Sequence, residues 1–101
     1  MATLHHNVTG EVTTELLAPG DDVKVASISI ANVEGSNACS VDLYIWKLDV
    51  GQFYFFKQLN LPADTSFNYE TSFDNSEGEF GLYIKLTKSA SETPAVDVII
   101  S

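Results

Sequence analysis

The sequence predicts an all-β chain: a single antiparallel β-sandwich, jelly-roll-like, of six to eight short strands with an extended N-terminal arm. Short apolar stretches recur from Val23 to Ile100, each closed by turn residues. They are rich in β-branched and aromatic residues, which fit a pleated, half-buried surface. No stretch between them carries the 3.6-residue apolar period of an amphipathic helix. A small closed barrel is the alternative architecture.

Residues 1–11 mix Thr, His, Asn and Gly without clear periodicity and read as the arm; residues 12–101 read as the domain. Deleting the arm is expected to leave the domain folded. Residues 12–17 are a candidate first strand. Ala18-Pro19-Gly20-Asp21-Asp22 is a turn, because Pro presets φ and Gly permits positive φ. In the strand at 23–32, Lys24, Ala26, Ile28 and Ile30 share one phase while Val23 and Val25 share the other, so a bulge or a sheet-switching bend near Ala26 is expected. Residues 34–37 form a polar loop. The strand at 39–48 places Val41, Leu43 and Ile45 on one face and Tyr44 and Trp46 on the other, beside Asp42. Asp49-Val50-Gly51 is a short hairpin connection.

The strand at 52–59 puts Phe53, Phe55 and Leu59 on one face and Tyr54 and Phe56 on the other. Residues 61–64 form a turn, and the strand at 66–72 alternates Phe67 and Tyr69 with polar neighbours. An acidic loop at 74–79 follows. Phe80, Leu82, Ile84 and Leu86 then alternate with Gly81, Tyr83, Lys85 and Thr87, the cleanest half-buried strand in the chain. Val96, Val98 and Ile100 form the last strand face.

A chain of 101 residues suits one domain, burying roughly 65% of the surface that its unfolded form exposes. With 45% hydrophobic and 19% charged residues it has a globular rather than a disordered composition. The apolar runs are too short to span a bilayer, and the N-terminus lacks the basic start and apolar region of a signal peptide. Cys39 is the only cysteine, so no internal disulfide can form and synthesis in a reducing cytoplasm is expected. Its reading is that of a small residue packed near the core. The formal net charge of −9 repels phosphate backbones and anionic membrane surfaces, so neither nucleic acid nor membrane is expected as a partner. It suits solubility and docking onto a basic surface.

Aromatic residues carry the candidate site. Tyr44, Trp46, Tyr54 and Phe56 are expected to point outward together from one hairpin, as an interface would, since Trp and Tyr dominate binding hot spots. The alternative is that loops or the arm cover this face. Outward aromatics on a sandwich also suit sugar stacking, although the polar partners typical of a carbohydrate groove are sparse here. His5 and His6 are assigned to the docking arm; adjacent histidines without further ligands do not make a closed metal site. The acidic loop lacks the ligand spacing of an EF-hand. No Gly-rich phosphate loop, GxSxG or HExxH is present, and both histidines lie outside the periodic region. The expectation is therefore a non-enzymatic protein without metal or cofactor. Asn7-Val8-Thr9 fits the glycosylation pattern but, without a signal peptide, is expected to carry no glycan.

From Val23 onward, with the turn just before it, the chain resembles a loose family of small virion proteins of tailed bacteriophages, notably those of marine bacteria. The matching segments are Ala18-Pro19-Gly20, Ser29-Ile30-Ala31-Asn32, Val41-Asp42-Leu43-Tyr44-Ile45, Leu61-Pro62-Ala63-Asp64 and Val96-Asp97-Val98-Ile99-Ile100-Ser101, in that order. The resemblance implies a structural protein of the phage particle, made in the host cytoplasm and located in the virion. Its expected role is capsid decoration, with the major capsid protein or other virion proteins as partners and a homo-oligomer formed on the particle. A tail or neck accessory protein and a glycan-binding sandwich for host attachment are the alternatives.

Overall fold

The chain is one long hairpin, doubled over near its midpoint and then rolled. The computed structural model describes residues 4–11, 13–19, 24–47, 49–74 and 80–101. Among them eight strands run in order: β1 (Leu4–Thr9), β2 (Thr13–Leu17), β3 (Lys24–Asn32), β4 (Cys39–Lys47), β5 (Gly51–Leu61), β6 (Ser66–Asp74), β7 (Phe80–Lys88) and β8 (Ala95–Ile100). β4 pairs with β5 across the turn at Asp49 and Val50. Outward from there β3 pairs with β6, β2 with β7 and β1 with β8, all antiparallel. Rolling adds the β3–β8 and β4–β7 pairs. The product is two four-stranded sheets, β1-β8-β3-β6 and β2-β7-β4-β5. This is an eight-stranded jelly roll, so the expected sandwich is observed.

The turn that doubles the chain uses two special conformations. Asp49 sits in the left-handed region at φ 61°, and Gly51 at φ 131°, where a side chain would be strained. The acidic loop from residue 75 on, and Gly20 to Val23 of the Pro-Gly turn, lie outside the described residues.

The core fills the space between the sheets. Val41 and Leu43 on β4 and Leu82, Ile84 and Leu86 on β7 face Ile28 and Ile30 on β3 and Val96, Val98 and Ile100 on β8. All are at most 2% exposed. Each such side chain contributes roughly 1.5–3 kcal/mol of burial free energy. Cys39 joins this core, and burial, with the nearby charge of Glu92, pushes its thiol above the ordinary range.

Register shifts tune which side chains face inward. The expected irregularity near Ala26 is present: the amides of Ala26 and Ser27 both donate to the Ser101 carbonyl, at 2.8 and 2.9 Å. Two β3 residues thus oppose one partner, which lets Val25 and Ile28 both point inward. On β2 the register moves from Glu15↔Tyr83 to Leu17↔Leu82, so Leu16 is an extra residue and both leucines are buried.

β5 shifts twice. Between Val41↔Leu59 and Leu43↔Phe56 it carries an extra residue, where Gln58 takes φ 56° and its amide donates to Asp42 Oδ1 at 2.6 Å. Between Leu43↔Phe56 and Tyr44↔Tyr54 it carries another, Phe55. These shifts correct the expected facing of Phe56. The ring turns inward and packs edge-on against Phe67 and Tyr69 of β6, with centroids 5.5 and 5.8 Å away. With Phe55 it closes the side of the sandwich where the edge strands β5 and β6 meet.

The segment read as an arm also differs. Its residues Leu4–Thr9 are strand β1, paired with β8 from Leu4↔Ile100 to Thr9↔Ala95. Val8 is 2% exposed and belongs to the core. The Gly10 amide continues the ladder to the Pro94 carbonyl at 2.8 Å. Deleting 1–11 would therefore strip a strand from β8 and open the core at Val8.

Asn32 is the one buried polar side chain among the described residues. Its Nδ2 donates to the carbonyls of Leu61 (2.9 Å) and Asn37 (3.0 Å), and its Oδ1 accepts from the Glu34 amide (3.0 Å). One side chain thereby ties the end of β3 to the end of β5 and to the loop at 33–38. That loop is closed further by Glu34 Oε2, which accepts from the amides of Ser36 and Asn37.

Candidate interaction surface

The outer face of the β2-β7-β4-β5 sheet carries the aromatic surface. Inward positions on β4 and β7 alternate with Asp42, Tyr44 and Trp46 on one strand and Gly81, Tyr83 and Lys85 on the other. Register sets Tyr44 beside Tyr83 and Trp46 beside Gly81 on β7, and Tyr44 beside Tyr54 on β5. Three strands thus bring four rings together. Tyr44 stacks on Tyr83 with centroids 5.7 Å apart and planes 16° from parallel, and Tyr54 leans on it at 5.1 Å. Tyr44 is consequently 4% exposed although it lies on the outer face. Trp46 and Tyr83 meet at 6.5 Å with planes 60° apart. Trp46 and Tyr54 remain 46% and 41% exposed, an unusual amount of ring surface to leave in water.

Polar groups frame the rings. The Tyr83 hydroxyl donates to Glu15 Oε2 at 2.9 Å, and burial followed by this bond and the charge of Glu15 pushes the phenol above its ordinary range. The Tyr54 hydroxyl donates to Gln52 Oε1 at 3.2 Å, and Lys57 Nζ lies 5.2 Å from the centre of the Tyr54 ring. Between Trp46, Tyr83, Tyr44, Thr13 and Pro19 lies an open groove of about 320 Å³. Gly81 shapes its wall. A Cβ there would stand 2.7 Å from the Leu17 carbonyl and 3.2 Å from Pro19 Cδ, so only glycine lets the segment after β2 close onto the sheet.

Of the expected interface residues, Tyr44, Trp46 and Tyr54 are brought together, and Phe56 is not. His5 and His6 lie in the other sheet on successive positions of β1, hence on opposite faces, and share no site with the rings or with each other. Tyr83 and Glu15 were absent from the expected set. Tyr83 has the outward phase of its strand in sequence, but its place beside Tyr44 depends on strand order. Among the described residues, no group of three or more His, Cys, Asp or Glu side chains is placed to hold a metal ion.

The fold defines the class: a jelly-roll sandwich of two antiparallel sheets. No family model matches the chain, and no curated protein matches it in sequence. Solved structures do resemble it. PirA is 16% identical, with a TM-score of 0.61 over 96% of this chain and 92% of its own. A chain of the cyanophage Pam1 capsid asymmetric unit is 12% identical, with a TM-score of 0.58 over 98% of this chain and 81% of its own. The Yersinia pseudotuberculosis-derived mitogen is 12% identical, with a TM-score of 0.55 over 99% and 83%. At these identities the shared property is the fold.

Proposed function

We propose that the protein is a non-enzymatic structural component of a phage particle, a decoration protein seated on the capsid surface. The observation that carries this reading is the correspondence with the cyanophage capsid chain. That chain is only modestly longer than this one and is built on the same fold over nearly all of this sequence. A jelly roll of this size suits an addition to a shell. The net charge of −9 suits a position facing solvent rather than packaged DNA. Two surfaces are available for contacts with the major capsid protein and with further copies on the particle: the aromatic face, and the edge strand β1, whose six-residue register with β8 is unbroken.

The test adds purified protein to capsids that lack it and scores binding by electron microscopy. Saturable occupancy of the head lattice is the expected result. Binding confined to the tail or neck would replace decoration with an accessory role in the virion. Failure to bind any part of the particle would overturn the virion assignment.

A further inference from the structure

We propose that the groove beside Trp46 and Tyr83 receives an arginine side chain presented by a partner protein; the identity of that partner as a capsid protein rests on the preceding reading. The two rings are tilted by 60° with centroids 6.5 Å apart, both line the groove, and Trp46 is nearly half exposed, leaving ring surface open to a ligand. A guanidinium is planar, weakly hydrated and attracted to the negative face of an aromatic ring, so it stacks where an ammonium would stay solvated. Beside Tyr83 in register stands exposed Glu15, whose carboxylate already accepts from the Tyr83 hydroxyl through Oε2 and can also accept from a guanidinium.

Charge selects the same ligand. None of the described lining residues is basic, Lys85 opposite Thr13 has Asp42 as its register partner on β4, and the chain as a whole carries −9. A cation is drawn toward the groove and an anion is repelled. The nearby Lys57 is engaged over Tyr54. A volume of about 320 Å³ lies at the small end of ligand sites and has room for an arginine side chain. A saccharide would need several hydroxyl partners around the rings. Around the rings stand the hydroxyl of Thr13, a Tyr83 phenol already bonded to Glu15, and the Glu15 carboxylate itself.

Trp46 is the only tryptophan, so its emission reports on the groove directly. The probe is N-acetyl-arginine amide, titrated into the full chain while Trp46 fluorescence and backbone amide shifts are followed. N-acetyl-glutamine amide and methyl glucoside serve as comparison ligands. The expected result is a saturable response to the arginine probe alone, with amide shifts centred on Thr13, Trp46 and Tyr83. Affinity should fall roughly fivefold or more in Glu15→Gln and in Trp46→Leu, read by amide shifts in folded variants. Equal affinity in Glu15→Gln, absence of a saturable response, or a response to the glucoside in place of the arginine probe would overturn the proposal. Capsid binding separates the two readings. Wild-type protein that decorates capsids no better than Trp46→Leu overturns the groove assignment and leaves decoration standing. A protein that takes the arginine probe but binds no part of the particle leaves the groove standing and overturns the virion assignment.

Discussion

Replacing Asn32 by alanine removes three hydrogen bonds that join three parts of the chain. The Leu61 carbonyl, bonded to Asn32 Nδ2 at 2.9 Å in a buried setting, would be left without that donor, at a cost of about 1–3 kcal/mol. The Asn37 carbonyl and the Glu34 amide are part-buried, so water can recover some of their loss, and each adds about 0.5 kcal/mol. The sum is roughly 2–4 kcal/mol, a large share of the roughly 5–15 kcal/mol that stabilises a typical domain. In thermal unfolding it corresponds to a fall on the order of 10–20 °C for a chain of this size. Urea unfolding followed by tryptophan emission should show the midpoint falling with an unchanged slope. Asn32→Asp sharpens the test. It keeps an oxygen for the Glu34 amide, loses both N–H donors, and turns a negative charge toward two carbonyls, so it should be at least as damaging as alanine. A loss below about 1 kcal/mol for alanine, or a milder effect for aspartate, would refute the reasoning.

Other perturbations follow from the packing. Leu82→Ala, at a side chain with no exposed surface, should cost about 2–5 kcal/mol in equilibrium unfolding; a value well below 1 kcal/mol would mean that the strand faces the other way. Gly81→Ala should force the end of β2 off the sheet, because the Leu17 carbonyl rather than a flexible side chain blocks the new Cβ; an unchanged thermal midpoint together with unchanged amide shifts at Leu17 and Tyr83 would contradict this. Burial pushes the Glu92 carboxyl up, but the amides of Ser89 and Ala90, with the Ser89 hydroxyl, more than offset this and hold it below the usual carboxylate range. A depressed folded-state pKa gives stability that is full above the ordinary carboxylate pKa and is lost as pH falls through the depressed value. Glu92→Gln should therefore flatten the acid limb of a stability–pH curve, and an unaltered limb would show that the capped carboxylate does not contribute.

The central strands were legible because their apolar residues alternate without interruption. Leu82, Ile84 and Leu86 on β7 and Val96, Val98 and Ile100 on β8 lie where alternation places them. β1 was hidden because His5, His6 and Asn7 leave only Leu4 and Val8 to mark a period, and it is the pairing with β8 that makes the segment a strand. The two β5 shifts were hidden for another reason. No glycine marks the positive φ at Gln58; that conformation is held by the Asp42 carboxylate on the neighbouring strand, a partner that sequence spacing does not reveal. Without those shifts Phe56 reads as outward. Conversely, Tyr83 carried the right phase, and only the order β7-β4-β5 puts its ring beside Tyr44.

The doubled hairpin also constrains when the protein can fold. β8 comes last in the sequence of strands yet sits inside its sheet, between β1 and β3. During synthesis β1 emerges first and has nothing to pair with until residues 95–100 have left the ribosome. The two halves of the β1-β8-β3-β6 sheet stay separated by an empty lane until then. Inner pairs such as β4–β5 close short loops and can form early, whereas Leu4↔Ile100 spans nearly the whole chain. Such non-local pairing places folding in the slow range of small domains, milliseconds to seconds. Until residues 95–100 emerge, Val8 lacks the β8 neighbours that bury it, so closure of this sheet waits on its last strand.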